Sequence, residues 1–332
     1  MELLILIFLI PLALAFGLSK LVIYWFGRRL LDIPNTRSSH TIPTPRGGGI
    51  AIALATLIAA LTAHFMGLIN HTTLHLLAPG LLMAIVGITD DLITLNIRIR
   101  LFAQTLTACV ITLITLDDTL FSAPIFVLLG IASVIGIVWL TNLYNFMDGI
   151  NGLAGLQAIF VCSSVSLLFY LQGTYNEIIL LMLIISSANL GFLYWNFPKA
   201  KLFMGDVGSL FIGITLATLI VWTAQDNLLT ICYWLIILAA FIADASYTIF
   251  IRATTGQKFY LPHRSHFYQK IAMKLNSHTK ATLLIMAFNL IWLLPLALVV
   301  LFGHINAFAG ICLAYLPAIY AAHKVRAGKA EE

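Results

Sequence analysis

Eleven apolar runs divide this chain, at about 3 to 25, 48 to 68, 75 to 89, 101 to 116, 124 to 141, 153 to 171, 178 to 195, 208 to 223, 229 to 250, 281 to 302 and 306 to 322. A bilayer core takes about 20 helical residues to cross, so runs of this length and number leave little chain for a water-soluble core. Composition agrees. Hydrophobic residues make up 61% and charged residues 9%, against roughly 25% charged in a soluble domain. The expected fold is an all-α polytopic membrane protein, a single domain over residues 1–332 with about eleven transmembrane helices. The number is ten if one of the short runs at 75 and 101 fails to span, since both need tilt or local thinning.

The connections alternate in charge. Asn70 to Leu74, Asp117 to Ala123, Gln172 to Glu177, Ala224 to Asn227 and Gly303 to Ile305 hold no lysine or arginine. The other connections and the C-terminal tail gather the basic residues: Arg28, Arg29, Arg37 and Arg46, then Arg98 and Arg100, Lys199 and Lys201, a stretch from Arg252 to Lys280, and Lys324, Arg326 and Lys329. Under the positive-inside rule this segregation supports the number and register of the spans. It puts the N-terminus outside and the C-terminus in the cytoplasm, with cytoplasmic loops at about 26–47, 90–100, 142–152, 196–207 and 251–280. The net charge of +5 then reflects topology and contact with anionic lipid headgroups, and is no sign of a nucleic-acid partner. Met1 to Phe26 has Glu2 rather than a basic start and is too long for a signal peptide's apolar core, so it reads as a retained first span. Cys109, Cys162, Cys232 and Cys312 are far apart, lie in apolar runs and lack metal-ligand spacing.

Charge at membrane depth is costly, roughly 2.5 to 3.5 kcal/mol on insertion scales, and defaults to a functional reading. Asp32, Asp90, Asp91, Asp148, Asp206 and Asp244 all fall at or near the basic ends of runs. Carboxylates and basic groups on one membrane face are what holding a divalent cation and a polyphosphate together requires.

Four segments carry this chemistry. Asp90 and Asp91 close the third run as adjacent carboxylates, which repel unless a cation or a raised pKa relieves them; a solvated loop start is the plainer account. Asn142, Asn145, Asp148 and Asn151 recur at three-residue spacing, a polar ridge on one helix face, followed by Gly149 and Gly152; interhelical hydrogen bonding would explain the asparagines but not the carboxylate. Phe203 to Ser209 precedes the eighth run, where a helix start offers free N–H groups to a diphosphate and Asp206 serves as N-cap or metal ligand. Arg46 to Gly49 offers a similar glycine-rich surface near Arg37 and His40. In the last basic loop, His263 and His266 flank Arg264, two imidazoles and a guanidinium suited to phosphate oxygens. Carboxylates without cysteines favour hard Mg²⁺ over zinc, with Mn²⁺ as a substitute.

In this order, Asp90-Asp91, the run Asn142 to Gly152, the run Phe192 to Asn196 continuing through Phe203 to Ser209, and the histidine-containing last loop resemble the polyprenyl-phosphate N-acetylaminosugar-1-phosphate transferases, glycosyltransferase family 4. The resemblance spans most of the chain. Arg37 to His40, Pro43 to Gly49 and His263 to Gln269 look most like the O-antigen and common-antigen initiating branch, whose donors include UDP-N-acetylfucosamine and UDP-N-acetylquinovosamine types. Asn151 stands where many members have a second aspartate, and the last loop reads His-Arg-Ser-His rather than clustered histidines. The resemblance implies transfer of a sugar 1-phosphate from a UDP-N-acetylaminosugar to undecaprenyl phosphate in the bacterial cytoplasmic membrane, with release of UMP, by a protein that is compatible with a homodimer among its membrane lipids. It implies Asp206 as Mg²⁺ ligand and Asp90 and Asp91 as the residues that orient or deprotonate the lipid phosphate. Asp148, Asn145 and Asn142 would position donor or metal, and His263, Arg264 and His266 would hold the diphosphate or the departing UMP. Asn151, Asn196, Arg37, His40 and Arg46 complete the substrate-binding set. A secondary transporter is the competing class, but it would place its charges near the midplane between paired repeats, and neither is seen here. A lipid phosphotransferase using a nucleotide-activated alcohol differs in the nucleotide released.

Overall fold

The computed structural model describes residues 5–27, 30–33, 42–116, 123–227, 229–258, 260–261 and 263–329. The apolar runs are helical. They form α1 (Ile7–Phe26), α2 (Gly48–Phe65), α3 (His71–Ile93), α4 (Ile97–Thr115), α5 (Ala123–Phe146), α6 (Leu153–Gln172), α7 (Asn176–Asn196) and α8 (Gly205–Asp226). A sharply bent pair follows, α9 (Leu229–Ile237) and α10 (Ala239–Thr254), meeting at 71°. A short surface helix, α11 (Phe267–Lys274), leads to α12 (His278–Leu301) and α13 (Ala307–Lys324). Among the described residues, nine helices are long and apolar enough to cross a membrane, or ten if the bent pair counts as one span. The ten of the alternative count is reached if that pair is one span, and α13, which corresponds to the last expected run and carries His323 and Lys324 in its last turn, is not among the nine. Helix also runs further into the basic face than the sequence reading drew it, since α3 continues to Ile93 and α5 carries Asn142 and Asn145.

The bundle is organised about α8, which packs on α3 and α5 most extensively and on α2 as well. In its apolar stretch 83% of residues are buried, against 17% in α5, so α8 is the axle and α5 turns most of its surface to lipid. Small residues allow the closest approaches. Gly87 of α3 lies against the Asp206 carbonyl and Val207 at the start of α8, and Gly49 of α2 lies against the backbone of Val207 and Gly208. No larger side chain fits either place without moving a helix.

Those contacts bring the carboxylate ends of α3 and α8 together. We expect Gly87→Ala, whose added methyl meets backbone rather than a mobile side chain, to cost about 1–3 kcal/mol by overpacking and to lower catalytic rate at least as severely as stability. Thermal unfolding and turnover measured on the same preparation check this. Normal turnover would show that the two helix ends need no such contact.

A backbone splice joins two further segments. Leu31–Asp32 pairs antiparallel with Thr44–Pro45, Asp32 opposite Thr44. Phe203 N–H then donates to the Pro45 carbonyl at 2.8 Å, while the N–H groups of Gly48 and Gly49 donate to Phe203 and Met204 carbonyls at 2.9 Å each. Gly47 sits between with φ of 102°, a conformation that favours glycine.

Candidate active site

The splice sets Arg46 beside the start of α8, and the α3 terminus comes up against both. Arg46 donates to Asp91 Oδ1 at 3.4 Å, and the Val207 N–H, freed by the start of α8, donates to Asp91 Oδ2 at 3.3 Å. Asp90 turns the other way. Its Oδ1 accepts from Leu95 N–H at 2.6 Å, closing the turn into α4, and its Oδ2 accepts from Arg100 at 2.5 Å. The same Arg100 nitrogen donates to Asp206 Oδ2 at 2.9 Å. On the opposite side of Asp206, Asn145 near the end of α5 donates to Oδ1 at 2.8 Å and to Ser209 at 2.9 Å. Elements separated by over a hundred residues thus converge on one carboxylate.

These groups open onto a polar cavity of about 230 Å³ whose walls include Asp32, Arg46, Asp91, Asn145, Asp148 and Asp206. Asp90 is absent from the wall, because both its oxygens are committed behind it. Asp148, in the turn after α5, is enclosed near Asp206 and Asp91, and burial first, then those two charges, push its carboxyl well above the usual range. Asp32, Asp91, Asp148 and Asp206 line the cavity and Asp90 lies behind it, beside two guanidinium groups, Arg46 and Arg100, so carboxyl groups outnumber cations there. Hard oxygen donors with a deficit of cation fit Mg²⁺. Among the described residues, no three acidic, histidine or cysteine side chains converge on one ion. Mg²⁺ in general takes one or two carboxylates and completes its shell with phosphate oxygens and water, so it does not require such a cage.

Several sequence-proposed residues lie elsewhere or serve the backbone. Asn142 donates to Gln104 on α4 at 2.6 Å and to the Val138 carbonyl, and does not reach the cavity. The ridge breaks because α5 ends at Phe146. Asn196 lines the wall, yet it clips two loops: its Oδ1 accepts from Gly152 N–H and its Nδ2 donates to Leu202, both at 2.8 Å. Asn151 also lines the wall, donating to the Pro198 carbonyl at 3.1 Å with His278 at 3.2 Å. Arg37 and His40 lie outside the described residues.

His263, Arg264 and His266 are not on the cavity wall. Their loop folds back because Asp244, inside α10, accepts the N–H groups of Phe267 at 2.8 Å and Tyr268 at 3.0 Å, capping α11 from below. His266 is 3% exposed, 3.4 Å from Asp244 and stacked near the rings of His263, Tyr268 and Phe146. Tyr268 donates to the Phe146 carbonyl at 2.9 Å, and burial, with Asp244 and Asp148 nearby, pushes its hydroxyl well above the usual range. The α11 side chain that does reach the cavity is Gln269.

Burial, then His266 and Arg252, lower His263 from 6.5 to about 3. Between those values the unfolded chain binds a proton that the folded protein refuses, so stability falls as pH drops from 6.5 toward 3 and is flat above. His263→Gln is expected to remove up to one proton's worth of that slope in unfolding measured across pH. An unchanged slope would show that His263 titrates as an ordinary histidine.

The sequence reading overlooked Arg100, Asp32, Gln269 and His278 as site residues, although the last three line the cavity and Arg100 bridges Asp90 and Asp206. Arg100 was counted only as a topological charge. Its one local signal is its place in the first turn of α4, the helix that follows the Asp90-Asp91 pair.

The family model described as glycosyl transferase family 4 matches residues 73–224, which span Asp90 through the whole apolar stretch of α8. Over 77% of this chain and 73% of its own length, a Bacillus subtilis protein named probable undecaprenyl-phosphate N-acetylglucosaminyl 1-phosphate transferase is 31% identical. The chain belongs to glycosyl transferase family 4. It is a multi-pass membrane enzyme of the phosphotransferase type. Another family member, the decaprenyl-phosphate N-acetylglucosaminephosphotransferase of Mycolicibacterium smegmatis, is 30% identical over 81% of this chain and 77% of its own. A Thermotoga maritima undecaprenyl-phosphate alpha-N-acetylglucosaminyl 1-phosphate transferase is 26% identical over 82% and 83%.

Proposed function

We propose that this enzyme transfers an N-acetylaminosugar 1-phosphate from a UDP-sugar to undecaprenyl phosphate at the cytoplasmic face of a bacterial inner membrane, initiating a cell-surface polysaccharide such as an O-antigen. The observation that carries the reading is the meeting of Asp91, Asp148 and Asp206 with Arg46 and Arg100 at one end of the bundle, in a chain whose relatives bear polyprenyl-phosphate transferase names.

An oxygen of the lipid phosphate attacks the sugar-linked phosphorus of the donor. That P–O bond forms, the bond to the UMP oxygen breaks, and UMP leaves with the electron pair. Both reactants are anions, so the protein's work is to screen charge and hold the reacting atoms in line. Asp206, with Asp91 or Asp148, would hold Mg²⁺, which would neutralise charge on the donor diphosphate. Arg46 reaches the cavity from the spliced loop and meets phosphate oxygens with a planar fork of donors. Asp90 fixes Arg100, and Arg100 fixes Asp206. Asp91 faces the cavity and so is the one of the adjacent pair that orients, or takes a proton from, the lipid phosphate. Gln269 and Asn151 extend the polar wall toward the donor.

The lipid's chain needs an apolar bed. Residues of α4, α5, α8, α9 and α10, among them Leu116, Leu140, Trp234 and Leu238, enclose a cavity of about 350 Å³ running along α5, the helix that delivers Asn145. Gly136 lines it, with nothing near the place where a side chain would begin. Gly136→Phe is expected to fold normally and raise KM for undecaprenyl phosphate about tenfold, with a smaller effect on a short-chain analogue. Equal effects on both lipids would put the chain elsewhere.

The reaction is tested by offering purified enzyme undecaprenyl phosphate, Mg²⁺ and a panel of UDP-N-acetylaminosugars, and measuring UMP. Release with one donor, dependent on the lipid, names the sugar. Folded protein that releases UMP with none of them contradicts the proposal.

A further inference from the structure

Away from the catalytic cavity, α11 and the end of α13 gather positive charge in one recess. Lys270 and Lys274 stand one turn apart on α11 and Lys324 closes α13; with Met273 and Val325 they line a hollow of about 330 Å³, and no carboxylate is in its wall. Like charges held this close repel unless an anion joins them. The surface leading to the hollow is graded. Leu316, Tyr320 and Lys324 fall at four-residue spacing, hence on one face of α13. Leu316 and Tyr320 are 63% and 62% exposed, and the Lys324 ammonium stands 5.3 Å from the centre of the Tyr320 ring. Along that face the chain passes from aliphatic to aromatic to cationic, the sequence of environments from hydrocarbon through interface to headgroup.

We propose that this recess binds the phosphate headgroup of an anionic phospholipid, whose acyl chains lie along the Leu316–Tyr320 face of α13. Basic pockets between helices at a membrane surface suit such headgroups. The site sits on the clasp that holds the histidine loop. Lys270 donates to the Arg326 and Lys329 carbonyls at 2.7 and 3.1 Å, and Gly328 N–H donates to the Ser265 carbonyl at 2.8 Å. Gln269, next to Lys270, reaches the catalytic cavity. A bound headgroup therefore ties the C-terminal segment to the helix that completes the cavity wall. This inference stands whether or not the transfer reaction is as proposed, and its test measures no turnover.

Delipidated protein in neutral detergent is offered phosphatidylglycerol or phosphatidylcholine, and retained lipid is quantified by mass spectrometry. We expect wild type to prefer phosphatidylglycerol, and Lys274→Gln/Lys324→Gln to lose at least fivefold of that retention. Lys274→Arg/Lys324→Arg should keep it, and Lys199→Gln/Lys201→Gln, basic residues elsewhere on the protein, should leave it unchanged. Inorganic phosphate at the same concentration should fail to displace the lipid, since it lacks the chains. Equal retention of both lipids by wild type, or full retention by the glutamine pair, overturns the site. Displacement by inorganic phosphate overturns the assignment to a lipid.

Discussion

Asp206→Asn is expected to lower turnover about 10³-fold, roughly 4 kcal/mol of transition-state stabilisation, while leaving the fold intact. The asparagine keeps the size of the side chain and one oxygen, so either the Arg100 or the Asn145 contact survives. What it removes is the charge that Arg100 answers and that the proposed metal would need. The loss should fall on kcat more than on the KM for undecaprenyl phosphate, because Asp206 sits on the donor's side of the mechanism. Steady-state kinetics at saturating Mg²⁺, with unfolding temperature as control, check it. A loss of less than tenfold would remove Asp206 from the reaction.

Arg100→Gln is expected to cost nearly as much, and to destabilise the protein as well. It leaves Asp90, 6% exposed, and Asp206 facing each other without their shared cation, and an uncompensated buried charge costs roughly 3 kcal/mol or more. One terminal nitrogen of Arg100 makes both contacts, so an ammonium of sufficient reach could serve, and Arg100→Lys should recover more activity than the glutamine. Adding Asp90→Asn to Arg100→Gln should restore most of the stability, since the orphaned charge is gone, and little of the activity. Turnover restored along with stability would show that Arg100 acts on the fold alone.

Much of this architecture is legible from hydrophobicity, because helices in lipid must satisfy their backbone internally and so declare themselves as apolar runs. The carboxylate ends of α3 and α8 are legible as well, since charge in such runs is costly. What joins them is not. Arg100 meets Asp206 across 106 residues, and no local spacing announces that meeting. The splice of Gly48 and Gly49 onto Phe203 and Met204 is made of backbone groups, to which side-chain patterns are blind. In the histidine loop the residue pattern is legible and its surroundings are not. Two imidazoles around an arginine suit phosphate chemically, but Asp244 takes up the start of α11 and draws His266 into the packing beneath it. Asn142 likewise shares the spacing of the ridge, and Gln104 on α4 meets it within the bundle. Spacing identifies residues that share a helix face, and packing decides which of them face the cavity.

In the proposed reaction the bond broken lies between the two phosphorus atoms of the donor, so that the sugar travels with its phosphate. UDP-sugar carrying radioactive phosphorus at either the nucleoside-linked or the sugar-linked position, given to the enzyme with undecaprenyl phosphate, tests it directly. The sugar-linked label is expected to move into the lipid and the nucleoside-linked label to leave as UMP. Both labels leaving together as UDP, with unlabelled phosphorus in the lipid product, would contradict it.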